Sequence, residues 1–264
     1  MKLAATLALL PVFLLAGAPQ GPQAQKPADS VAALQQALAQ HEIWLEPAAG
    51  ACAIPARVLV RADPLEYLLV HRNGNAHESL FVTDTQASEL NVALLALGVQ
   101  PGKNAVWSAK EPAPSREELL AGAQAYTVAP PQGDGFLLYA AWKAGDEFYF
   151  FRVDDLIRNL QSGRSMRRHA WVYLGSRSVH SREDPARELF VADEEGNLVN
   201  LCFFEQGNTL LTGALPECES QTIWVGNAPL LPASGEPVLF VFSRKPLESC
   251  PTELRAHVPA SDAR

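Results

Sequence analysis

The residues best suited to chemistry stand together in the stretch HESLFVTD, which begins at His77. Imidazole, carboxylate and hydroxyl groups are the usual acids, bases and nucleophiles of enzyme sites. The stretch follows an Asn73-Gly74 dipeptide that lies between two apolar runs, a pattern that predicts a β-hairpin. On the second strand, alternation places His77 and Ser79 on one face and Glu78 on the other. We therefore predict that His77 and Glu78 do not form an acid–base pair.

The predicted turn has two registers, and they place different residues opposite each other. With Gly74-Asn75 as the loop, His71 faces Glu78 and the two side chains meet at the turn. With Asn73-Gly74 as the loop, Glu78 faces Leu69 instead. The pattern fits an ordinary cross-strand contact, and it also fits a site completed by a further carboxylate such as Asp193. The candidate functional residues are His71, His77, Glu78, Ser79 and Asp193.

Known catalytic and metal-binding patterns are incomplete in this chain. His71, His77, Glu78 and Asp84 offer imidazole and carboxylate ligands of the kind zinc accepts. However, HESLF lacks the second histidine of H-E-x-x-H, and that spacing requires a helix. The chain also contains no G-x-S-x-G nucleophile motif. We therefore predict no cofactor and no resident metal, and we assign no catalytic residue.

The first residues have the pattern of an export signal. A short positive region precedes an apolar run over residues 3–15, and the small residues Ala16-Gly17-Ala18 follow. The run is too short to span a bilayer, which takes about 20 residues. Residues 1–18 are therefore a predicted signal peptide, cleaved after Ala18. We expect a soluble extracytoplasmic protein, periplasmic or secreted, without a transmembrane segment.

Export changes the expected state of the four cysteines, because an oxidising compartment permits disulfides. Cys218 and Cys250 both lie in polar, loop-like sequence, so these two are the predicted disulfide pair. The alternative is that all four cysteines are unpaired thiols. The chain contains no C-x-x-C motif, so neither a zinc ribbon nor a thioredoxin-type site is indicated.

The charge pattern excludes one class of partner and suggests another. A formal net charge of −8 argues against a general nucleic-acid-binding protein. Within this acidic chain, a local basic run is predicted either to face an anionic envelope partner or to be a solvated loop paired with acidic residues. The arginines of this basic cluster are Arg164, Arg167, Arg168 and Arg177.

Hydrophobic periodicity predicts an α+β, mostly β fold. Residues 19–40 form a linker and a short helix, residues 41–250 form one globular domain, and residues 251–264 form a C-terminal tail. We expect about ten short antiparallel strands and hairpins with two or three short helices. One helix is predicted over residues 85–98, with Asp84 or Thr85 as its cap and Gly98 at its end.

Five segments, in the same order, resemble the YdjY-domain family of bacterial envelope proteins. They are PLEYLLVHRNGNAHESLFVTD, LNVALLALGVQPG, WVYLGSR, FVADEEGNLVNL and PLLPASGEPVLFVF. The resemblance implies export and a single strand-rich domain, and it brings no activity or site residue. Together with the incomplete catalytic patterns, it leads us to expect a non-catalytic binding or assembly domain. The alternative is a metal- or acid–base-dependent enzyme, or a redox accessory, with its site at His71, His77 and Glu78.

Overall fold

The computed structural model of the protein describes residues 27–59 and 62–261, so the predicted signal peptide lies outside the described residues. The α+β, mostly β fold class is confirmed. The helices are α1 (Pro27–Ala39), α2 (Ala87–Ala96), α3 (Arg116–Leu120), α4 (Val191–Glu195) and α5 (Thr252–Arg255). Short 3₁₀ turns cover Ala76–Glu78, Val153–Leu156, Pro216–Glu219 and Ala228–Leu230.

The strands vary in length from two to ten residues. They are β1 (Trp44–Glu46), β2 (Ala51–Val58), β3 (Tyr67–His71), β4 (Ser79–Thr83), β5 (Val106–Ala109), β6 (Tyr126–Ala129), β7 (Gly135–Ala144), β8 (Glu147–Arg152), β9 (Ile157–Asn159), β10 (Trp171–Tyr173), β11 (Ser178–His180), β12 (Glu188–Phe190), β13 (Asn197–Asn200), β14 (Leu211–Thr212), β15 (Trp224–Gly226), β16 (Pro237–Ser243) and β17 (Ala260–Ser261). The predicted count of about ten strands is therefore too low. Strands of two or three residues are too short to show an alternating pattern.

Eight strands form one closed sheet in the order β2, β16, β7, β10, β14, β13, β3 and β4, and β4 pairs again with β2. Six of the eight neighbouring pairs are antiparallel. The pairs β3–β4 and β13–β14 are parallel. The prediction of purely antiparallel strands is therefore wrong. Closing the sheet leaves few strand edges exposed to other chains.

The central strands are apolar on both faces because they separate two packed cores. Along β7, Phe136, Leu138 and Trp142 point into the closed sheet, where they join the main core. The residues between them, including Tyr139 and Ala141, belong to a smaller core on the outer face. Continuous apolar sequence is typical of strands that are covered on both sides.

The outer core is covered by the end of the described chain. Helix α5 contributes Leu254, the following turn contributes Val258, and β17 adds to β7 in parallel. Residues of the predicted tail thus supply an element and part of a core. No helix within residues 27–59 and 62–261 has the length and apolar character needed to cross a membrane.

The four cysteines are unpaired and buried, so the predicted Cys218–Cys250 disulfide is wrong. Cys218 packs in the main core and Cys250 in the outer core, so the two residues belong to separate packed clusters. The polar residues around both cysteines made them resemble loop residues. Cys218 instead lies beside the segment that follows Cys202. The Phe203 N–H donates a hydrogen bond to the Cys218 carbonyl at 2.9 Å.

We predict that the folded protein does not react with an aromatic disulfide reagent at pH 8. Burial raises the pKa of Cys218 to about 12 and that of Cys250 to about 11. Burial also raises the pKa of Cys52 and Cys202, so the reactive thiolate is scarce in all four. A thiol assay without reductant is expected to count no thiol before denaturation and four afterwards. A count below four in denaturant would contradict the unpaired state.

Candidate functional site

The segment between β3 and β4 contains most of the predicted site residues, and it is not a hairpin loop. Strands β3 and β4 run parallel, with Tyr67 beside Ser79 and Leu69 beside Phe81. The connection must therefore run back alongside β3 before β4 begins. The Gly74 N–H donates to the His71 carbonyl at 2.8 Å and starts this return path. Both hairpin registers are therefore wrong.

His77 and Glu78 lie in the 3₁₀ turn Ala76–Glu78, where strand alternation does not apply. His77 Nε2 lies 3.6 Å from a Glu78 carboxylate oxygen, so the prediction that they point apart is wrong. Their side chains are 74% and 39% exposed, and an ion pair so open to water contributes less than about 1 kcal/mol. Ser79 is buried, and its hydroxyl donates to the Phe81 carbonyl at 2.9 Å. These residues do not form a nucleophile–base relay.

His71 and Asp193 lie near each other through Asn73, but they have different partners. His71 Nδ1 is hydrogen-bonded to the Asn73 side-chain oxygen, and His71 Nε2 lies 3.4 Å from the Gln86 amide nitrogen. The Asn73 side-chain amide donates to the Asp193 carbonyl at 3.3 Å. The Asp193 carboxylate instead accepts the Ser88 N–H at 2.9 Å. Asp193 thereby stabilises the first turn of α2.

The predicted cap residue Asp84 has another role. Its carboxylate accepts a hydrogen bond of 2.5 Å from Arg72 Nε, while α2 begins after Gln86 without a side-chain cap of its own. The helix otherwise lies within its predicted range, and Gly98 follows its end with a φ of +77°. Among the described residues, no three His, Cys, Asp or Glu side chains converge as a metal site would require.

The basic cluster is largely engaged with acidic and amide side chains. Arg167 binds Glu217 at 2.7 Å, and Arg168 binds Asp155 at 2.6 Å. Arg177 Nε donates to the Asn208 side-chain oxygen at 3.0 Å. For Arg164, only hydrogen bonds of its backbone are found among the described residues. An anionic partner for this cluster stays a prediction.

A polar cleft of about 270 Å³ lies where the β3–β4 connection approaches β13 and the loop that follows it. We call it the asparagine cleft. Its wall combines two aromatic rings with amide and carboxylate side chains. The lining residues are Tyr67, Asn75, Glu195, Asn197, Asn200, Phe204, Gln206 and Asn208. Two stretches of the chain, residues 67–75 and 195–208, therefore meet in one cavity.

The sides of the asparagine cleft are held by contacts among the lining residues. The Tyr67 and Phe204 rings stack with centroids 5.1 Å apart. The Asn75 side-chain amide donates to the Asn197 oxygen at 3.4 Å. Opposite them, the Asn208 amide donates to a Glu195 carboxylate oxygen at 2.6 Å. These contacts fix the cleft without using all of its acceptor oxygens.

One residue that lines the cleft has a buried acceptor without a described partner. Asn200 is 5% exposed, and its side-chain oxygen accepts no hydrogen bond from any described residue. The neighbouring strand places Thr212 beside it in register, and the buried Thr212 hydroxyl also lacks a described partner. A buried polar group left unpaired costs about 1–3 kcal/mol. Such groups in a folded protein call for an explanation.

The electrostatic field of the cleft is negative. Burial, together with the charges of Glu66, Glu78 and Glu195, raises the pKa of Tyr67 to about 12, while a hydrogen bond from Asn75 acts in the opposite direction. Burial and the nearby Glu78 likewise raise the pKa of Glu66. The field therefore favours neutral or cationic groups in the cleft.

We predict that Tyr67 ionises near pH 12, about two units above its ordinary pKa of 10.0. Because the folded state raises this pKa, the contribution to stability is complete below pH 10 and is lost as pH rises through 12. Wild type should therefore lose more stability than Tyr67→Phe over this interval. Denaturation at several alkaline pH values, with phenolate absorbance, measures the difference. Equal losses would contradict the raised pKa.

A second cavity of about 310 Å³ opens beside Trp44 and His257, whose rings stack 4.1 Å apart. Its wall also includes Pro55, Arg57 and Pro237. None of its lining residues has a buried polar side-chain atom without a partner among the described residues. The asparagine cleft is therefore the better candidate site, although it is slightly smaller.

The comparison with models of protein families agrees with the sequence resemblance. The sequence model of the YdjY domain family matches residues 44–243, more than half of the 264-residue chain. This span begins at β1 and ends with β16, so it includes the closed sheet and the asparagine cleft. No curated protein and no solved structure matches the chain significantly. The chain therefore belongs to the YdjY domain family.

Proposed function

We propose that this protein is an exported, extracytoplasmic and non-catalytic binding domain, and that its ligand occupies the asparagine cleft. The ligand is a small polar molecule that is rich in hydrogen-bond donors. The export signal predicted for residues 1–18 supports the location. The observation that carries the ligand site is Asn200, a residue that lines a cavity of about 270 Å³ and whose buried side-chain oxygen has no described partner.

The composition of the cleft supports binding rather than chemistry. Binding sites for small molecules combine an apolar or aromatic surface with a few fixed polar groups. The Tyr67–Phe204 stack supplies the aromatic surface. Amides such as Asn197 and Asn200 supply fixed hydrogen-bonding groups, and none of the amides is a strong acid, base or nucleophile.

The alternative, an enzyme or redox accessory at His71, His77 and Glu78, gains no specific support. His77 is mostly exposed, whereas His71 is buried and already contacts Asn73. The four cysteines are buried and unpaired, which is unlike a redox pair poised for exchange.

The experiment compares two identical substitutions at two asparagines. Binding of glucose, N-acetylglucosamine and glucosamine is measured by calorimetry for wild type, Asn200→Leu and Asn227→Leu. Asn227 lies outside the cleft, where its amide donates to the Asp155 carbonyl at 2.9 Å.

Asn200→Leu is expected to weaken binding by more than about tenfold without loss of stability, because it removes an unpaired buried oxygen. Asn227→Leu is expected to do the reverse, losing stability but keeping its affinity. If wild type binds none of the three sugars, or if Asn200→Leu binds as well as wild type, the proposal is wrong.

A further inference from the structure

We infer that the asparagine cleft recognises a ligand bearing an ammonium group, with amino sugars as the chemical class. This inference rests on the proposed function and adds the charge of the ligand. It comes from three observations: the acceptor oxygens of the cleft, the carboxylates around it and the stacked rings in its wall.

Several oxygen atoms of the cleft residues have no close hydrogen-bond donor among the described residues. The Asn200 oxygen has no described partner, and the Asn197 oxygen accepts only long hydrogen bonds of 3.4–3.5 Å from Asn75. Glu195 uses one carboxylate oxygen to accept from Asn208, and its other oxygen has no hydrogen bond to a described residue. An ammonium group has three donors and no acceptor, whereas a hydroxyl group brings acceptors with its donor. An ammonium group can therefore donate to several of these oxygens at once.

The charges around the cleft are mainly negative. Glu195 lines the cavity, and the charges of Glu66 and Glu78 act on Tyr67 in its wall. Two basic groups lie near these carboxylates. Arg177 contacts Asn208 through Nε, and His77 is paired with Glu78. Three carboxylates therefore outnumber the one permanent cation near them. The remaining negative charge favours a cationic ligand.

The rings in the wall favour the same charge. Tyr67 and Phe204 stack with planes 9° apart, and both line the cavity. The π-face of an aromatic ring attracts an ammonium group. A bare metal ion fits less well, because no three carboxylate, imidazole or thiolate groups converge in the described part of the chain.

The test uses three sugars that differ at one position. Glucosamine carries an ammonium group where glucose carries a hydroxyl and N-acetylglucosamine an uncharged amide. Calorimetry at a pH where the amine is protonated is expected to give an affinity for glucosamine at least about tenfold higher than for the neutral sugars. The preference is expected to shrink as salt is raised.

Glu195→Gln provides the matched variant, since it keeps the shape and the acceptor oxygen but removes the charge. Because Glu195 is exposed to water, the substitution should lower glucosamine affinity about two- to fivefold, and it should lower N-acetylglucosamine affinity by less. The control is Glu194→Gln, because Glu194 is exposed like Glu195 but does not line the cleft. It should change neither affinity.

The outcomes separate this inference from the proposed function. If the neutral sugars bind as well as glucosamine, or if Glu195→Gln has no effect, the ammonium preference is wrong and the binding site stands. If no sugar binds to wild type, both are wrong.

Discussion

Asp154→Ala is expected to lower the free energy of unfolding by about 3–5 kcal/mol, the largest effect of any single substitution proposed for this protein. Asp154 is fully buried, and Arg152 Nη2 contacts its carboxylate at 2.7 Å. His169 Nδ1 contacts the other carboxylate oxygen at 2.9 Å. Both partners are themselves nearly buried, with side chains 12% and 9% exposed. Removing Asp154 leaves a buried guanidinium without its counter-charge.

The control is the next residue in the chain. Asp155 pairs with Arg168 at 2.6 Å, but this pair is far more exposed, with side chains 25% and 62% accessible. Asp155→Ala is therefore expected to lose less than about 1 kcal/mol. Urea denaturation of both variants measures the difference. Equal losses, or a loss below about 1 kcal/mol for Asp154→Ala, would contradict a buried ionic network.

Gly196→Ala is expected to cost about 3 kcal/mol and to disturb the asparagine cleft. Gly196 ends α4 with a φ of +68°, a conformation that L-residues avoid. An added Cβ would also lie 2.6 Å from the Gly74 nitrogen, in the connection between β3 and β4. This connection supplies Asn75 to the cleft. The stability measured by denaturation and the affinity for sugars should therefore both fall.

The matched control is Gly145→Ala in the β7–β8 hairpin. Gly145 also has a positive φ, +59°, but an added Cβ meets no atom within 4 Å. Only the backbone strain applies, so the expected loss is about 1–2 kcal/mol. Binding should not change, because Gly145 lies outside the cleft. A larger loss for Gly145→Ala than for Gly196→Ala would contradict the close approach at Gly74.

Local elements of the fold could be predicted from the sequence because their signals are local. The leucine spacing of α2 and the glycine at its end define that helix. The strong apolar runs of β7 and β16 likewise define strands covered on both sides. Each of these signals depends on residues that are adjacent in the chain.

The path from β3 to β4 could not be predicted, because it depends on which other strands β3 and β4 pair with. Asn73-Gly74 is a strong hairpin signal, yet β3 pairs with β13 on its other edge and β4 returns parallel. Short connections rarely join parallel strands. The sequence pattern therefore predicted an antiparallel hairpin, which is the more common arrangement. That prediction placed His77 and Glu78 on a strand instead of in a turn.

The asparagine cleft was also missed, because its residues come from segments far apart in the sequence. Only the density of asparagines after Gly196 gave a signal, and asparagine is common in any turn. Among the residues that line the cleft, Asn200 is distinguished by burial without a described partner, and this property depends on Tyr67 and Thr212 from the neighbouring strands.

The most direct test of the ligand site is a two-dimensional NMR titration that follows the side-chain amides. With whichever of the three sugars binds most tightly, the amide signals of Asn75, Asn197 and Asn200 are predicted to shift together. The signal of Asn227, outside the cleft, should stay in place. Shifts confined to the Trp44 indole and His257, in the second cavity, would contradict the asparagine cleft as the ligand site.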